Sequence, residues 1–252
     1  MEQYTKHQID DAKAYLRQRI DNEVSMEADV GNLLEEYARL LVALIMSGAS
    51  QEHIDALVED LIARLLDDCE TLAVDEHDDD RDSILAFILR AWGDNNLEGR
   101  IRWRVGTFFD EVLAISVAGM LLGVPVAEVI ASVIMSLKAP WQNPILIEIR
   151  KKILNGQVSP PEGVDFSERH YGHGVPLSSL TALIDITRFA VAEGWNWYDY
   201  DKHKDNAKGY FVFRGSSYPC DECDSHVGYH PASDTSNLPL FHKHCYCYVV
   251  WV

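Results

Sequence analysis

Two short cysteine and histidine motifs near the carboxyl end constrain this chain more than any other feature. The first is Cys220-x-x-Cys223, and the second, further along, is His242-x-x-Cys245-x-Cys247. Because a Cys-x-x-Cys turn places two thiolates on one knuckle and His-x-x-Cys offers a second pair, the motifs predict a tetrahedral zinc site. Four protein ligands leave no coordination position for water, so the predicted role of the zinc is structural.

The spacing leaves the choice of the four ligands open. Cys220, Cys223, His242 and Cys245 give two-residue gaps at both ends, whereas Cys247 in place of His242 gives a four-cysteine shell. The clustering of four of the five cysteines in this region favours a metal site in a reducing compartment over a disulfide framework. The remaining cysteine, Cys69, is predicted to be a small buried apolar residue.

The same knuckle is half of the nucleobase deaminase signature, in which Pro-Cys-x-x-Cys is joined by an upstream His-x-Glu. Pro219 precedes Cys220 here, but none of the ten histidines is followed two residues later by a glutamate. The sequence therefore argues against a deaminase.

Apolar residues recur at helical spacing from Tyr4 to about Asn155, which predicts a multi-helix domain over residues 1–155. The two clearest stripes consist of Leu33, Leu34, Tyr37, Leu40, Leu41 and Leu44, and of Ile54, Leu57, Val58, Leu61, Ile62 and Leu65. The acidic run 75–82 is predicted to be a loop. Six or seven helices are expected before residue 155, among them Ser83–Trp92, Glu98–Leu122, Pro125–Leu137 and Asn143–Leu154.

The character of the sequence changes after this region. Proline- and glycine-rich residues predict a linker or extended arm over 156–177. A last long helix is expected from Ser178 or Ser179 to about His203, followed by strands at 210–213 and 246–252, where the apolar period switches to two. The predicted fold class is thus mainly α, with residues 178–252 forming a small α+β module whose zinc loop lies between two short strands.

The charge balance limits the partners that can be expected. The chain has 40 acidic and 22 basic residues, a net charge of −18, and most of the excess lies in its first hundred residues. Such a field repels phosphate backbones and anionic membranes, so binding to nucleic acid or to a membrane surface is disfavoured. The amino terminus has no apolar core of signal-peptide length, so no secretion is expected. Pro125 and Glu128 interrupt the apolar stretch 112–137, so no membrane span is expected.

The residues around the knuckle resemble the carboxyl-terminal signature of the Mu F-like minor head proteins of tailed phages, also called head morphogenesis proteins. The resemblance covers residues 170–252, about a third of the chain. It rests on Tyr218, Pro219, Cys220, Cys223, Val227, Gly228, Leu238, Pro239, His242, Cys245 and Cys247, preceded by Arg188, Phe189, Ala190, Ala192, Glu193, Trp197 and Tyr198. The family's His-Pro-Asn-Cys-Arg-Cys appears here with Lys243, His244 and Tyr246 between the predicted ligands.

This resemblance implies a low-copy virion protein inside the phage head, present in the host cytoplasm during assembly. Portal or capsid proteins are its expected partners, and a homo-oligomer is allowed. Two other functions stay open from the residues. One is a metal-dependent nuclease or transferase in which His170, His173, Glu193 or His226 works beside an ion with an open position. The other is a host-side interaction module.

Overall fold

The computed structural model describes residues 5–73, 81–94, 96–138, 143–166, 179–242 and 245–252. It is mainly helical, with a small antiparallel sheet near the carboxyl end, which confirms the predicted fold class. The helices are α1 (Lys6–Ser47), α2 (Gln51–Ala73), α3 (Arg81–Asp94), α4 (Leu97–Leu122), α5 (Val126–Lys138), α6 (Pro144–Leu154), α7 (Ser179–His203) and α8 (Asp221–His226). The strands are β1 (Gly209–Phe213), β2 (Gly228–Pro231) and β3 (Tyr248–Trp251).

The helix boundaries predicted between residues 83 and 154 lie within two residues of those observed. One expectation about the loop 75–82 is wrong at its end, because Arg81 and Asp82 already belong to α3. The rest of that loop lies outside the described residues, as does the second half of the predicted arm. Most residues of the two apolar stripes are buried, whereas Leu40 is 43% exposed.

Helix α6 shows how local side chains define these boundaries. Asn143 caps it by accepting hydrogen bonds from the backbone N–H groups of Ile145 at 3.0 Å and Leu146 at 3.2 Å. The amide of Asn143 also donates to Ser136 Oγ at 2.8 Å and to the Ser132 carbonyl at 3.2 Å. One buried asparagine therefore starts α6 and attaches it to α5.

The chain forms two compact units that do not follow the order of the sequence. One consists of Met1–Met26, Cys69–Leu97 and Asp185–Val252, and the other of Glu27–Asp68 and Glu98–Ile184. We call them the sheet unit and the helical unit. The boundaries at residues 155 and 178 stay a prediction.

Apolar side chains fill the interior of the helical unit. Its fully buried residues include Leu34, Leu41, Leu61 and Ile115. Helix α4 supplies much of this core and is, by length and composition, apolar enough to cross a membrane. Within its most apolar 18-residue window, 44% is buried inside the protein. The expectation that the chain has no membrane span stays a prediction.

The three strands of the sheet unit lie in the order β2-β1-β3, and both pairings are antiparallel. Gly209 begins β1 at a point where the backbone of β2 approaches closely, since a Cβ there would lie 2.4 Å from the carbonyl oxygen of His230. The predicted strands correspond to β1 and β3. Helix α8, which overlaps the first motif, and strand β2, which lies between the two motifs, were not predicted.

Candidate metal centre

The two motifs contribute to one Cys/His cluster from opposite ends of the segment that connects β1 to β3. Cys220 and Cys223 lie at the start of α8, just after β1, while Cys245 and Cys247 lead directly into β3. Because β1 and β3 are neighbours in the sheet, the two ends of the loop are brought together by strand pairing. His242 joins Cys220 and Cys223 from the segment between β2 and β3.

The donor atoms form two groups of three that share Cys223. One group is Cys220, Cys223 and His242, and the other is Cys223, Cys245 and Cys247; within each, all donor atoms lie within 4.8 Å of one another. His242 Nε2 lies 3.3 Å from Cys220 Sγ and 3.0 Å from Cys223 Sγ. The Sγ atoms of Cys223 and Cys245 are 3.8 Å apart. The five predicted residues therefore meet in one cluster that could hold a metal ion.

These separations can be compared with an ideal zinc shell. Zn–S bonds of about 2.3 Å and Zn–N bonds of about 2.0 Å place two tetrahedral sulfurs ~3.8 Å apart and a sulfur and a nitrogen ~3.5 Å apart. The Cys223–Cys245 separation of 3.8 Å equals the first value. The two separations from His242, 3.3 and 3.0 Å, are a few tenths of an ångström shorter. Pair by pair the donors thus approach tetrahedral separations, but among the described residues they form two groups of three, and one ion held by four ligands would draw these groups together.

The electrostatics of the sulfurs favour the same interpretation. Burial raises the pKa of Cys223 to about 12. A hydrogen bond from the Cys247 thiol lowers the pKa of Cys245 to about 5, and the same hydrogen bond raises the pKa of Cys247. The buried sulfurs by themselves therefore favour one thiolate, Cys245. A divalent cation among them would favour ionisation of the other ligands as well.

The knuckle is built into the first turn of α8. Cys220 is its N-cap residue, and its Sγ accepts a hydrogen bond from the Cys223 backbone N–H at 3.5 Å. Arg214, which follows β1, pairs with Asp224 of α8 and donates to the Tyr218 carbonyl. These contacts hold the Cys-x-x-Cys turn against the end of β1.

A separate network orders the loop that supplies His242. Asn237 lies at its centre, donating to Asp234 Oδ2 at 2.8 Å while its Oδ1 lies 2.6 Å from His226 Nδ1. The His226 ring stacks on Phe241, next to His242, with 3.9 Å between ring centroids. Tyr210 of β1 donates its hydroxyl to the Asp234 carbonyl at 2.5 Å. The position of His242 is therefore set by polar contacts between the loop, α8 and β1.

The metal centre also forms part of the apolar core of this unit. The buried side chains of that core are Tyr210, Val212, Cys223, Cys245, Cys247 and Trp251. Helix α7 packs against the same region. Its Arg188 guanidinium lies over the Tyr246 ring at 4.4 Å, and its Asp199 carboxylate accepts a hydrogen bond from the Trp251 indole at 2.6 Å.

The residues considered for an enzyme have other surroundings. His226 is stacked on Phe241 as described, and Glu193 lines a separate cavity of about 310 Å³ with Phe87, Arg90 and Trp197. Within the described residues, neither Glu193 nor His226 belongs to a group of three or more metal-binding side chains. His170, His173 and His244, like the side chain of Cys69, lie outside the described residues.

Several supporting residues were not found from the sequence. Asn237 and Asp234 were not singled out, although an Asp-x-Ser-Asn run in a loop is typical of side chain–backbone turns. No sequence pattern indicates that Asp199 contacts Trp251 or that Arg188 contacts Tyr246, because these contacts depend on how α7 packs against the rest of the sheet unit.

Comparison with models of protein families, with curated proteins and with solved structures finds no match to this chain.

Proposed function

We propose that this protein is a non-enzymatic component of a phage head, with a carboxyl-terminal module held together by one structural zinc ion. The observation that carries the zinc part is the meeting of two sequence-distant Cys/His motifs in one cluster at the base of a small sheet. The phage part rests on the resemblance of the same motifs and their flanking residues to the Mu F-like signature.

The proposed ligands are Cys220, Cys223, His242 and Cys245. Three of them form one group around the His242 imidazole, and Cys245 lies at a tetrahedral sulfur separation from Cys223. Zinc is the best candidate ion because it accepts thiolate and imidazole ligands in a tetrahedral arrangement. In this proposal Cys247 stays protonated and donates to the Cys245 sulfur.

A structural role follows from the closed shell and from the size of the module. Four protein ligands leave no position for a substrate or a reactive water. The sheet has three short strands, so metal binding would supply much of the free energy that orders it. The proposal therefore assigns catalysis to none of these residues.

The net charge of −18 favours docking on protein surfaces, such as the portal or capsid, over binding to packaged DNA. The proposed location is the interior of the head, with passage through the host cytoplasm during assembly.

Elemental analysis of protein purified without chelators tests the metal. We expect one mole of zinc per mole of chain, lost in Cys220→Ser and retained in Cys69→Ser. A zinc content near zero in the wild type, or equal contents in the two variants, would contradict the zinc proposal.

Detection in purified phage particles tests the proposed location separately. We expect the protein to be recovered with particles by immunodetection, at low copy number relative to the major capsid protein. Its absence from particles, together with normal assembly after deletion of its gene, would reject the head-protein proposal while leaving the zinc site intact.

A further inference from the structure

Strand β3 is an edge of the sheet, and the pairing register identifies which of its backbone groups face outward. The Val252 N–H donates to the Gly209 carbonyl at 3.0 Å, so Val252 exchanges hydrogen bonds with β1. Tyr210 pairs with Trp251 and Val212 with Val249. Because hydrogen-bonded and non-hydrogen-bonded pairs alternate in antiparallel sheets, the N–H and C=O groups of Val249 and Trp251 point away from β1.

One of these outward groups already has a partner that imitates a neighbouring strand. The side-chain amide of Gln8, near the start of α1, donates to the Trp251 carbonyl at 2.7 Å. A strand paired with β3 would place a backbone N–H at this position. Gln8 therefore takes one of the hydrogen-bonding positions that a fourth strand would use. The outward N–H and C=O groups of Val249 form no hydrogen bond with any described residue.

A cavity of about 440 Å³ runs beside this edge. Gln8 and Ala12 of α1 line it together with Asn196, Asp199 and His203 of α7, and residues 247–252 supply the strand side. The indole of Trp251 is held there by the Asp199 carboxylate and stacks on the His203 ring at 5.3 Å between centroids. The edge of β3 is thus reached through a groove bordered by two helices.

We propose that this groove binds an extended polypeptide segment of a partner protein, which pairs with β3 as a fourth strand and displaces the Gln8 amide. The outward N–H and C=O groups of Val249 and Trp251 would supply the hydrogen bonds. Side chains of α1 and α7 line the groove beside β3, which favours a single extended segment over a second copy of this folded sheet. Because the chain carries a net charge of −18, a neutral or basic segment is favoured.

The variant Val249→Pro removes the outward backbone donor without removing a hydrogen bond between β3 and β1. The Val249 N–H points away from β1, and proline is tolerated on an edge strand where its missing N–H faces outward. Val249→Thr is the matched control, because threonine favours strands and retains the N–H group. Metal content and circular dichroism of the zinc-loaded proteins check that both variants are folded.

The probe is a library of randomised free heptapeptides, selected on the zinc-loaded wild-type protein and then measured by fluorescence anisotropy. We expect selected peptides to bind at least tenfold more weakly to Val249→Pro than to Val249→Thr or the wild type. We also expect Gln8→Ala to bind them more tightly than the wild type, since the competing amide is removed.

An N-methyl scan of a selected peptide gives a second measurement that does not depend on the folding of any variant. Strand pairing predicts that methylation weakens binding at every second backbone nitrogen and is tolerated in between. Uniform sensitivity along the peptide, or selection of no peptide at all, would overturn the proposal. A concentration-dependent dimer of the wild type that is absent in Val249→Pro would also overturn it, by assigning the edge to a second copy.

Discussion

Among single residues, Cys247 has the most consequential environment. It is buried beside Cys223 and Cys245, and its thiol donates to the Cys245 sulfur. A hydrogen bond to a metal-bound sulfur orients the ligand and moderates its charge. In the proposed site, Cys247 therefore supports the ligand set without belonging to it.

The substitutions Cys247→Ser and His242→Ala test which of these two residues is a zinc ligand. We expect Cys247→Ser to retain one zinc per chain, because a serine hydroxyl can still donate to the Cys245 sulfur. We expect His242→Ala to weaken zinc binding by at least about 100-fold, since it opens the shell. Competition with a coloured zinc chelator measures both affinities. Loss of zinc in Cys247→Ser with retention in His242→Ala would favour the four-cysteine shell.

Glu111, in the helical unit, is a second residue with an unusual environment. It lies on α4, where burial raises the pKa of its carboxyl from 4.5 to about 7. Its Oε1 atom is buried with no hydrogen-bond partner. The folded state therefore favours the protonated form of a group that the unfolded chain ionises at lower pH.

This shift predicts that Glu111 lowers stability as pH rises. Between about pH 4.5 and 7 the unfolded state loses the proton first, so the free energy of unfolding falls and stays reduced above pH 7. The full penalty is up to roughly 3 kcal/mol for a shift of this size. Urea unfolding of Glu111→Gln and the wild type at several pH values measures this pH dependence. We expect the variant's relative stability to grow across this window, and a difference independent of pH would contradict the assignment.

At the scale of elements, the packing of α7 on α3 depends on a single glycine in the sheet unit. A Cβ at Gly194 of α7 would lie 2.5 Å from the Ile88 Cα of α3 and 2.9 Å from the Ile88 backbone nitrogen. Because these are backbone atoms, no rotamer change relieves the contact. The two helices can approach this closely only without a side chain at this position.

Replacing this glycine therefore has a predictable cost. We expect Gly194→Ala to lower the free energy of unfolding by roughly 1–3 kcal/mol, through overpacking. Gly106→Ala in α4 is the control, since a Cβ there meets nothing within 4 Å. The free energy of unfolding of Gly106→Ala is expected to rise by about 0.5–1 kcal/mol, because alanine has a better helix propensity than glycine. Thermal or urea denaturation compares the two, and equal effects would contradict the role of Gly194.

The elements also show what could be predicted from the sequence. The long helices follow from apolar periodicity, and their ends follow from capping residues and glycines such as Asn143 and Gly123, because these signals are local. Helix α8 has six residues and strand β2 has four, which is too short for a period to be recognised. β2 is ordered by its pairing with β1, which depends on residues distant in sequence.

The metal cluster was predictable for a related reason. Two-residue gaps between metal-binding residues reflect the local geometry of a knuckle, so a cluster of Cys220, Cys223, His242, Cys245 and Cys247 could be expected without a structure. The contact of Arg188 with Tyr246 and that of Asp199 with Trp251 could not, because the chain segments that form them are far apart in sequence. Spacing predicts which residues meet in the cluster, whereas the side chains around them follow from packing.

At the scale of the whole molecule, we expect removal of the metal to loosen the three-stranded sheet and to leave the helical unit folded. Treatment with a strong zinc chelator should increase amide hydrogen exchange in β1, β2 and β3, because the proposed ligands lie in the segment that connects β1 to β3 and contains β2. Amides of α4 and α5 in the helical unit should keep their protection. Exchange measured by mass spectrometry tests this. Unchanged protection of the three strands, or equal loss of protection across the chain, would contradict a local structural role for the metal.

The division of the chain into two discontinuous units has a consequence for biosynthesis. The helical unit is complete once residue 184 has left the ribosome, whereas the sheet unit needs residues 185–252 to join Met1–Met26 and Cys69–Leu97. Met1–Met26 and Cys69–Leu97 are therefore synthesised before residues 185–252, which complete their unit and contain the proposed metal ligands. A nascent chain stalled before Cys220 would lack most of the sheet and would expose apolar surface of this unit, which is the kind of surface that chaperones bind.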